Sequence, residues 1–358
     1  MIVHPQVLEG FGLDYSDYHV EKHGSGLINS TFRLHYQGKG KQKDLILQRI
    51  NTHVFRDPYV IVENHRKAAD YLSQHHPDYF FLAPLPAKDG KDLFEWNGEY
   101  WRVLPYVENT YTVNEAGNPK QALEAARQFG RLAHNLSGVN MQGFHPSIPN
   151  FHNLTLRYSH FQTAVNNATA ERTEQAAELI DAFEGFSRIP ITYEELKTDE
   201  DFPDRLMHHD TKINNVLLDE KTNRGICVID LDTLMPGKLI SDLGDMVRTY
   251  VSPVSEEETD FSRIVIREDY YEALMKGYLA EIKDTLTRTE KETLFYAGQF
   301  MIYMQGIRFL TDYLDGNLYY QIRYPLHNLH RANNQLVLLQ RLNEKERALR
   351  KIIDRYKH

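Results

Sequence analysis

Cysteine is almost absent: the 358-residue chain has one, Cys227, so no internal disulfide can form. Lying in a short apolar run, it reads as a small buried hydrophobe rather than a reactive thiol, which fits a reducing cytoplasm. No stretch approaches the roughly 18 apolar residues of a membrane span. The opening MIVHPQVLEGFGLDY lacks the basic segment and apolar core of a secretory signal. The expectation is a cytoplasmic, unanchored protein with no membrane partner. A dense Lys/Arg tract is also missing, and 41 basic against 50 acidic residues leave a formal charge of -9. That removes the electrostatic footprint of a nucleic-acid binder and favours a small-molecule partner. The Walker pattern G-x-x-x-x-G-K-[ST] does not occur, and Gly24 and Gly26 precede a strand-like run rather than a helix, which argues against a dinucleotide site. A glycine loop lying over a triphosphate stays open, because glycine lets backbone N–H groups approach phosphate closely.

What is present is concentrated in residues 205–245, RLMHHDTKINNVLLDEKTNRGICVIDLDTLMPGKLISDLGD. His208, Asp210 and Asn215 stand in the spacing H-x-D-x-x-x-x-N. A polar turn follows, then the apolar run 226–229 ending on Asp230. Phosphoryl transfer needs a hydroxyl held in line, a carboxylate to take its proton, and a cation to neutralise the phosphate oxygens. Asp210 suits the base. Mg2+ prefers hard oxygen ligands, so Asn215 and Asp230 are its natural protein ligands, and a hairpin of 216–218 with 226–229 would return both to the same end. A single H-x-D arises easily by chance, but the ordered pair favours chemistry. Adjacent histidines on an extended segment point to opposite faces, which argues against a metal site on His208 and His209.

His-Arg-Asp and Asp-Phe-Gly, the protein-kinase signatures, are both absent. The stretch resembles the aminoglycoside phosphotransferase and choline kinase superfamily. Within it, HHDTKINNVLLD followed by VIDLDTLMPGKLISDLGD is similar to the bacterial N-acetylhexosamine 1-kinases. The resemblance continues through GSGLINSTF, LILQRINTHVF, WRVLPYVENT, FLTDYLDGNLYY and RYPLHN, and so spans nearly the whole chain in order. It implies a kinase-like α+β fold of two lobes: an N-lobe of antiparallel sheet plus helix, 1–107, and a larger, mostly helical C-lobe, 108–358, with the catalytic loop and a short hairpin. It also implies ATP and Mg2+ as cofactors and transfer to the anomeric hydroxyl of an N-acetylhexosamine. A kinase of another small hydroxyl compound, such as an aminoglycoside, and a non-catalytic nucleotide-binding relative are the alternatives.

Carried over by motif, Asp210 is the base, Asn215 and Asp230 bind Mg2+, and Asp232 supports the metal. Gly24, Gly26 and Gln48 face the nucleotide, and Pro105, Tyr106 and Val107 form a connector whose backbone reads the adenine edge. Gln48 stands where kinases carry a phosphate-pairing lysine, so the phosphate charge falls to Mg2+ and backbone donors; its neighbour Arg49 reads as a solvated residue. Arg308 and Tyr319 match sugar-binding positions. Leu27, where the family has histidine, and His209, where it has asparagine, lie near the acceptor and bear on the choice of sugar. Elsewhere the pattern predicts helices over 58–74, 121–136, 154–186, 268–282, 289–314 and 328–356, and a hairpin around Asn97-Gly98.

Overall fold

The computed structural model describes residues 3–24, 28–40 and 42–358; Gly26 and Leu27 therefore lie outside the described residues. The chain begins with helix α1 (Pro5–Gly10) and strands β1 (Tyr18–Lys22), β2 (Ser30–Tyr36) and β3 (Leu45–Ile50). Helix α2 (Pro58–His75), strands β4 (Phe94–Trp96) and β5 (Glu99–Pro105) and the short β6 (Thr110–Tyr111) follow. Next come α3 (Pro119–Asn135), α4 (Leu154–Asn167), α5 (Ala170–Gly185), α6 (Arg188–Lys197) and strand β7 (Arg205–Met207). The hairpin strands are β8 (Val216–Asp219) and β9 (Gly225–Val228). Helices α7 (Ile240–Tyr250), α8 (Glu268–Ile282), α9 (Arg288–Glu292), α10 (Leu294–Leu314), α11 (His327–Glu344) and α12 (Glu346–Tyr356) complete the chain. No described helix is both long and apolar enough to cross a membrane.

Two compact units result, both discontinuous in sequence. The first comprises Met1–Tyr111, Gly138–Pro149 and Leu217–Pro236; the second comprises Thr112–Ser137, Asn150–Val216 and Gly237–His358. The sequence reading divided the chain once, at 107, because nothing in the composition marks the two later returns.

The first unit is built on an antiparallel sheet in the order β1-β2-β3-β5-β4. Side chains alternate between its faces, and the alternation sorts them. Phe32, Leu34, Leu45, Leu47, Trp101 and Val103 form one buried face with Val7 and Leu8 of α1. The register Thr31↔Gln48 and Gln48↔Arg102 places a polar row on the opposite face. Arg49, read as solvated, is half-buried and ion-paired with Glu99, because the same alternation turns it toward Trp101. Asp57 caps α2, with Pro58 occupying a first-turn position that needs no N–H donor. Cys227 is buried in β9, and burial pushes its thiol up to about 12.

The second unit is a helical assembly around α10, which is buried on nearly every side and packs against α4, α7 and α11. Where the sequence pattern ran unbroken from 154 to 186, Thr169 accepts from the Arg172 N–H and starts a new helix. A capping box of Thr287 and Glu290 likewise opens α9 as a separate turn before α10. Helix α7, which the periodicity did not reveal, lies tightly against α10. A Cβ on Gly244 would stand 2.3 Å from the Ala297 carbonyl oxygen, so only glycine permits this approach.

Candidate active site

In the second unit, β7 delivers the chain to the loop from His208 to Lys212, and α7 fixes that loop. The Asp242 carboxylate accepts from the His208 N–H at 3.0 Å and the His209 N–H at 2.7 Å. The Thr211 hydroxyl donates to the Asp242 carbonyl at 2.7 Å, and the Tyr250 hydroxyl donates to the Thr211 carbonyl at 2.9 Å. These bonds hold His209 at φ 67°, a left-handed conformation that costs a non-glycine residue about 1–3 kcal/mol unless its surroundings impose it. Burial pushes Asp242 up to about 7, against the pull of the two N–H donors and with help from the charges of Asp245 and Asp210.

This scaffold presents Asp210. Its Oδ1 stands 3.1 Å from Lys212 Nζ. The Asn215 amide nitrogen donates to the Asp210 carbonyl at 2.9 Å and reaches Oδ2 at 3.3 Å. Burial alone would raise the carboxyl, but Lys212 and His208 outweigh it and hold Asp210 below the ordinary carboxylate value. Asp210 is thus held toward its ionised form. The Asn215 nitrogen is committed to Asp210, which leaves its oxygen as the atom suited to a hard cation.

A cavity of about 310 Å³ opens beside this loop, lined by Lys212, Asn214, Arg248, Glu256, Glu257 and Gln335 among others. Two buried amide oxygens on its lining residues, Asn214 Oδ1 and Gln335 Oε1, have no hydrogen-bond partner among the described residues. Glu256 is committed to Arg248 at 2.6 Å and Glu257 to Arg331.

His209 leads to a second group. Its Nδ1 is 2.7 Å from the Ser241 hydroxyl, which His152 also engages, and the two imidazoles meet edge to face at 5.4 Å. Gly237 makes room for the ring, since a Cβ there would fall 2.2 Å from His209 Cε1. His152 stacks on Phe151 at 4.3 Å. The Arg308 guanidinium lies 5.9 Å from the Phe151 ring and 5.7 Å from the Tyr320 ring. Burial, then His209, Arg308 and Arg157, drives His152 well below the usual histidine value, so it is neutral at pH 7. Arg157 donates to the carbonyls of Asn150 and Phe151, and neither it nor Arg308 forms an ion pair with a carboxylate among the described residues. Tyr319 stands at the outer edge of this cluster, its ring edge to face with that of Tyr320 at 4.8 Å. Its side chain is 71% exposed, and Tyr320, not Tyr319, stands against Arg308.

In the first unit, Gln48 does not stand alone. Its side-chain nitrogen donates to Thr31 Oγ1 at 3.1 Å, and its oxygen accepts from Arg102 Nε at 2.9 Å and Nη2 at 2.7 Å. Arg102, 1% exposed, also pairs with Asp232 Oδ1. The other Asp232 oxygen accepts from Asn29 at 2.5 Å. Both oxygens of Asp232 are therefore engaged. Asp230 precedes it at φ 56°, again left-handed. Gly24 has φ 72° and ends the approach from β1. At the end of β5, Pro105 pairs with Leu45, and the Tyr106 N–H extends the ladder to the Asp44 carbonyl at 3.2 Å. Arg33 lies 3.7 Å over the Tyr106 ring, and the Val107 carbonyl accepts from the Thr110 hydroxyl.

Sequence reasoning missed Arg102, Lys212, Asp242 and His152. For Asp242 a signal existed: Asp242 and Asp245 in ISDLGD are three apart, on one helical face. For Arg102 none did, since its partnership with Gln48 depends on the register of β3 and β5. Among the described residues no group of three or more His, Cys, Asp or Glu is disposed to hold a metal by itself.

The model of a phosphotransferase enzyme family, APH, matches residues 19–285. Among solved structures, a microcompartment-associated aminopropanol kinase aligns over 96% of this chain and 97% of its own, at TM-score 0.61 and 16% identity. An aminoglycoside phosphotransferase from Alicyclobacillus acidocaldarius aligns over 99% and 98%, at TM-score 0.62 and 12% identity. An amicoumacin kinase in complex with AMP-PNP and Ca2+ aligns over 98% and 92%, at TM-score 0.60 and 14% identity. At these identities the likeness is one of fold, mixed α+β and protein-kinase-like.

Proposed function

The chain belongs to the APH phosphotransferase enzyme family; we propose that it acts on a hydroxyl group, using ATP and Mg2+ to phosphorylate the anomeric hydroxyl of an N-acetylhexosamine, GlcNAc or GalNAc. The observation that carries the choice of acceptor is the cavity beside Asp210 and Lys212. Its volume of about 310 Å³ lies at the small end of the range for ligand sites, which suits a monosaccharide better than a multi-ring antibiotic. Asn214 Oδ1 and Gln335 Oε1 are unpaired acceptors, and a hydroxyl-rich ligand supplies the donors they lack. A polycationic aminoglycoside fits less well, because Glu256 and Glu257 are already tied to arginines.

In this reading Asp210 takes the proton of the acceptor hydroxyl as its oxygen forms a bond to the γ-phosphorus and the bond to the β–γ bridging oxygen breaks. The anomeric hydroxyl is more acidic than an ordinary alcohol, because the ring oxygen withdraws charge, so a carboxylate held ionised suffices. Asn215 and Asp230 would supply the protein oxygens for Mg2+, whose charge offsets that developing on the phosphates. His209, Arg308 and Tyr319 are proposed on the acceptor side; Tyr319 would have to close from its exposed position. On the nucleotide side are Gln48, Gly24, Gly26 and the backbone of Pro105 to Val107. Leu27 bears on the preference between epimers.

Phosphorus NMR of the product tests the proposal. GlcNAc and GalNAc should give a sugar 1-phosphate, and their 1-O-methyl glycosides should give nothing. A 6-phosphate, or equal turnover of the methyl glycosides, returns the chain to kinases of other hydroxyl compounds.

A further inference from the structure

Asp230 is held in a left-handed conformation, and the stretch after it, 231–234, is fixed at four points within the first unit. Arg102 of β5 pairs with Asp232 Oδ1, and Asn29 at the head of β2 donates to Oδ2 at 2.5 Å. The Ser147 hydroxyl donates to the Asp232 carbonyl at 2.6 Å. The Asn64 amide of α2 donates to the Leu234 carbonyl at 3.0 Å. Asn29 also accepts from the Asn51 N–H at 2.9 Å, and Gln48 locks the Arg102 guanidinium through Nε and Nη2. A buried charge pair of this kind is costly to desolvate unless its remaining hydrogen bonds are satisfied. Here the bonds converge on the segment that carries Asp230.

We infer that Arg102 and Asn29 are positioning residues for the cation-binding carboxylate Asp230, acting through Asp232, whose own carboxylate is an anchor and not a cation ligand. The inference rests on the reading that Asp230 binds Mg2+ with the nucleotide. Two physical effects of Arg102 oppose each other. As a buried positive charge it should repel a nearby cation, so direct electrostatics predict that removing it tightens Mg2+ binding. As the clamp on Asp232 it fixes the backbone that aims Asp230, so its removal loosens the ligand and weakens binding. The sign of the effect separates the two.

The test is calorimetric titration of the full chain with the non-hydrolysed analogue AMP-PNP, at several Mg2+ concentrations and without Mg2+. Arg102→Met should weaken Mg2+-dependent binding by about tenfold or more, the usual consequence of removing a group that orients a metal ligand. Mg2+-free binding should stay near that of the unaltered chain, and Arg102→Lys should restore part of the loss. Arg102→Met combined with Asp232→Asn should be little worse than either alone, since both break one link. Unchanged or tighter Mg2+-dependent binding in Arg102→Met overturns the inference. If Arg102→Met does not fold, as judged by thermal unfolding, Asn29→Ala removes the bond to Asp232 together with the one from the Asn51 N–H and decides: weaker Mg2+-dependent binding supports the clamp, and unchanged binding removes it. Asp230→Ala separates the two layers. Should it leave Mg2+-dependent binding intact, the cation reading itself fails; should it abolish that binding while Arg102→Met does not weaken it, only the positioning inference fails.

Discussion

Lys212 Nζ stands 3.1 Å from Asp210 Oδ1, so the candidate base carries its own counter-charge two residues further along the chain. Burial and the nearby carboxylates of Asp242 and Asp245 favour the protonated form of such a group. Lys212 holds it below the ordinary carboxylate value, the condition that the proposed base role requires. Replacing Lys212 with Met removes the group that lowers Asp210. Because the base works only when deprotonated, activity falls as pH drops through its pKa, and the acid limb of the kcat profile should move to higher pH. A limb that stays in place would show that Lys212 does not tune the base.

Asp210→Asn keeps the shape of the side chain and removes its basicity. Turnover should fall by about 10²- to 10⁴-fold, the typical worth of general-base catalysis. AMP-PNP affinity should change little, because the role assigned to Asp210 concerns the acceptor proton. Retention of more than about a tenth of the rate would take the base role from Asp210.

Asp242 makes stability depend on pH. Its value in the folded chain, about 7, lies above the ordinary 3.8, so the folded state binds this proton more tightly than the unfolded state. The resulting stability is complete below the unfolded value and is lost as pH rises through about 7. The loss is at most about 1.4 kcal/mol per pH unit for one proton. Asp242→Asn cannot ionise, and it keeps an acceptor oxygen for only one of the His208 and His209 N–H groups, which the carboxylate takes at separate oxygens. Its thermal midpoint should therefore fall less than that of the unaltered chain between about pH 4 and about pH 7. Parallel curves would show that Asp242 does not titrate there.

Much of the fold was legible because it rests on local signals. Asn97-Gly98 marks the β4–β5 turn, and both residues adopt positive φ there. Pro58 and Asp57 mark the start of α2. The H-x-D-x-x-x-x-N spacing holds Asp210 and Asn215 in contact because it spans one loop and one short turn. What stayed hidden depends on pairing at long range. Arg102 follows Trp101 in an ordinary strand, and only the register opposite Gln48 shows that it belongs to the polar row. His152 sits in a segment with no periodic pattern and gains meaning from Ser241, 89 positions away. Tyr319, named by a motif match, is exposed, and its ring meets Tyr320, which stands against Arg308.

Gln335 offers the sharpest test of the acceptor cavity, because the sugar reading gives its two amide atoms different tasks. Its nitrogen donates to Asn334 Oδ1 at 3.1 Å, and its oxygen is buried without a partner. An unpaired buried acceptor costs about 1–3 kcal/mol, whereas an ordinary hydrogen bond contributes about 0.5–1.5 kcal/mol net. Gln335→Leu removes both at once, so the thermal midpoint of the free protein should move little or rise. The acceptor tells a different story. If a sugar hydroxyl donates to Gln335 Oε1, the variant should lose about 2- to 13-fold in kcat/KM for the sugar, the equivalent of one neutral hydrogen bond. The loss should appear in the acceptor KM, with the KM for ATP unchanged. A panel of deoxy sugars then identifies the hydroxyl. The analogue lacking it should react equally well with both proteins, since neither can form the bond, while every other analogue should still distinguish them. A variant that loses kcat/KM uniformly across the whole panel, or that raises the KM for ATP instead, would show that Gln335 supports the helix packing and does not read the acceptor.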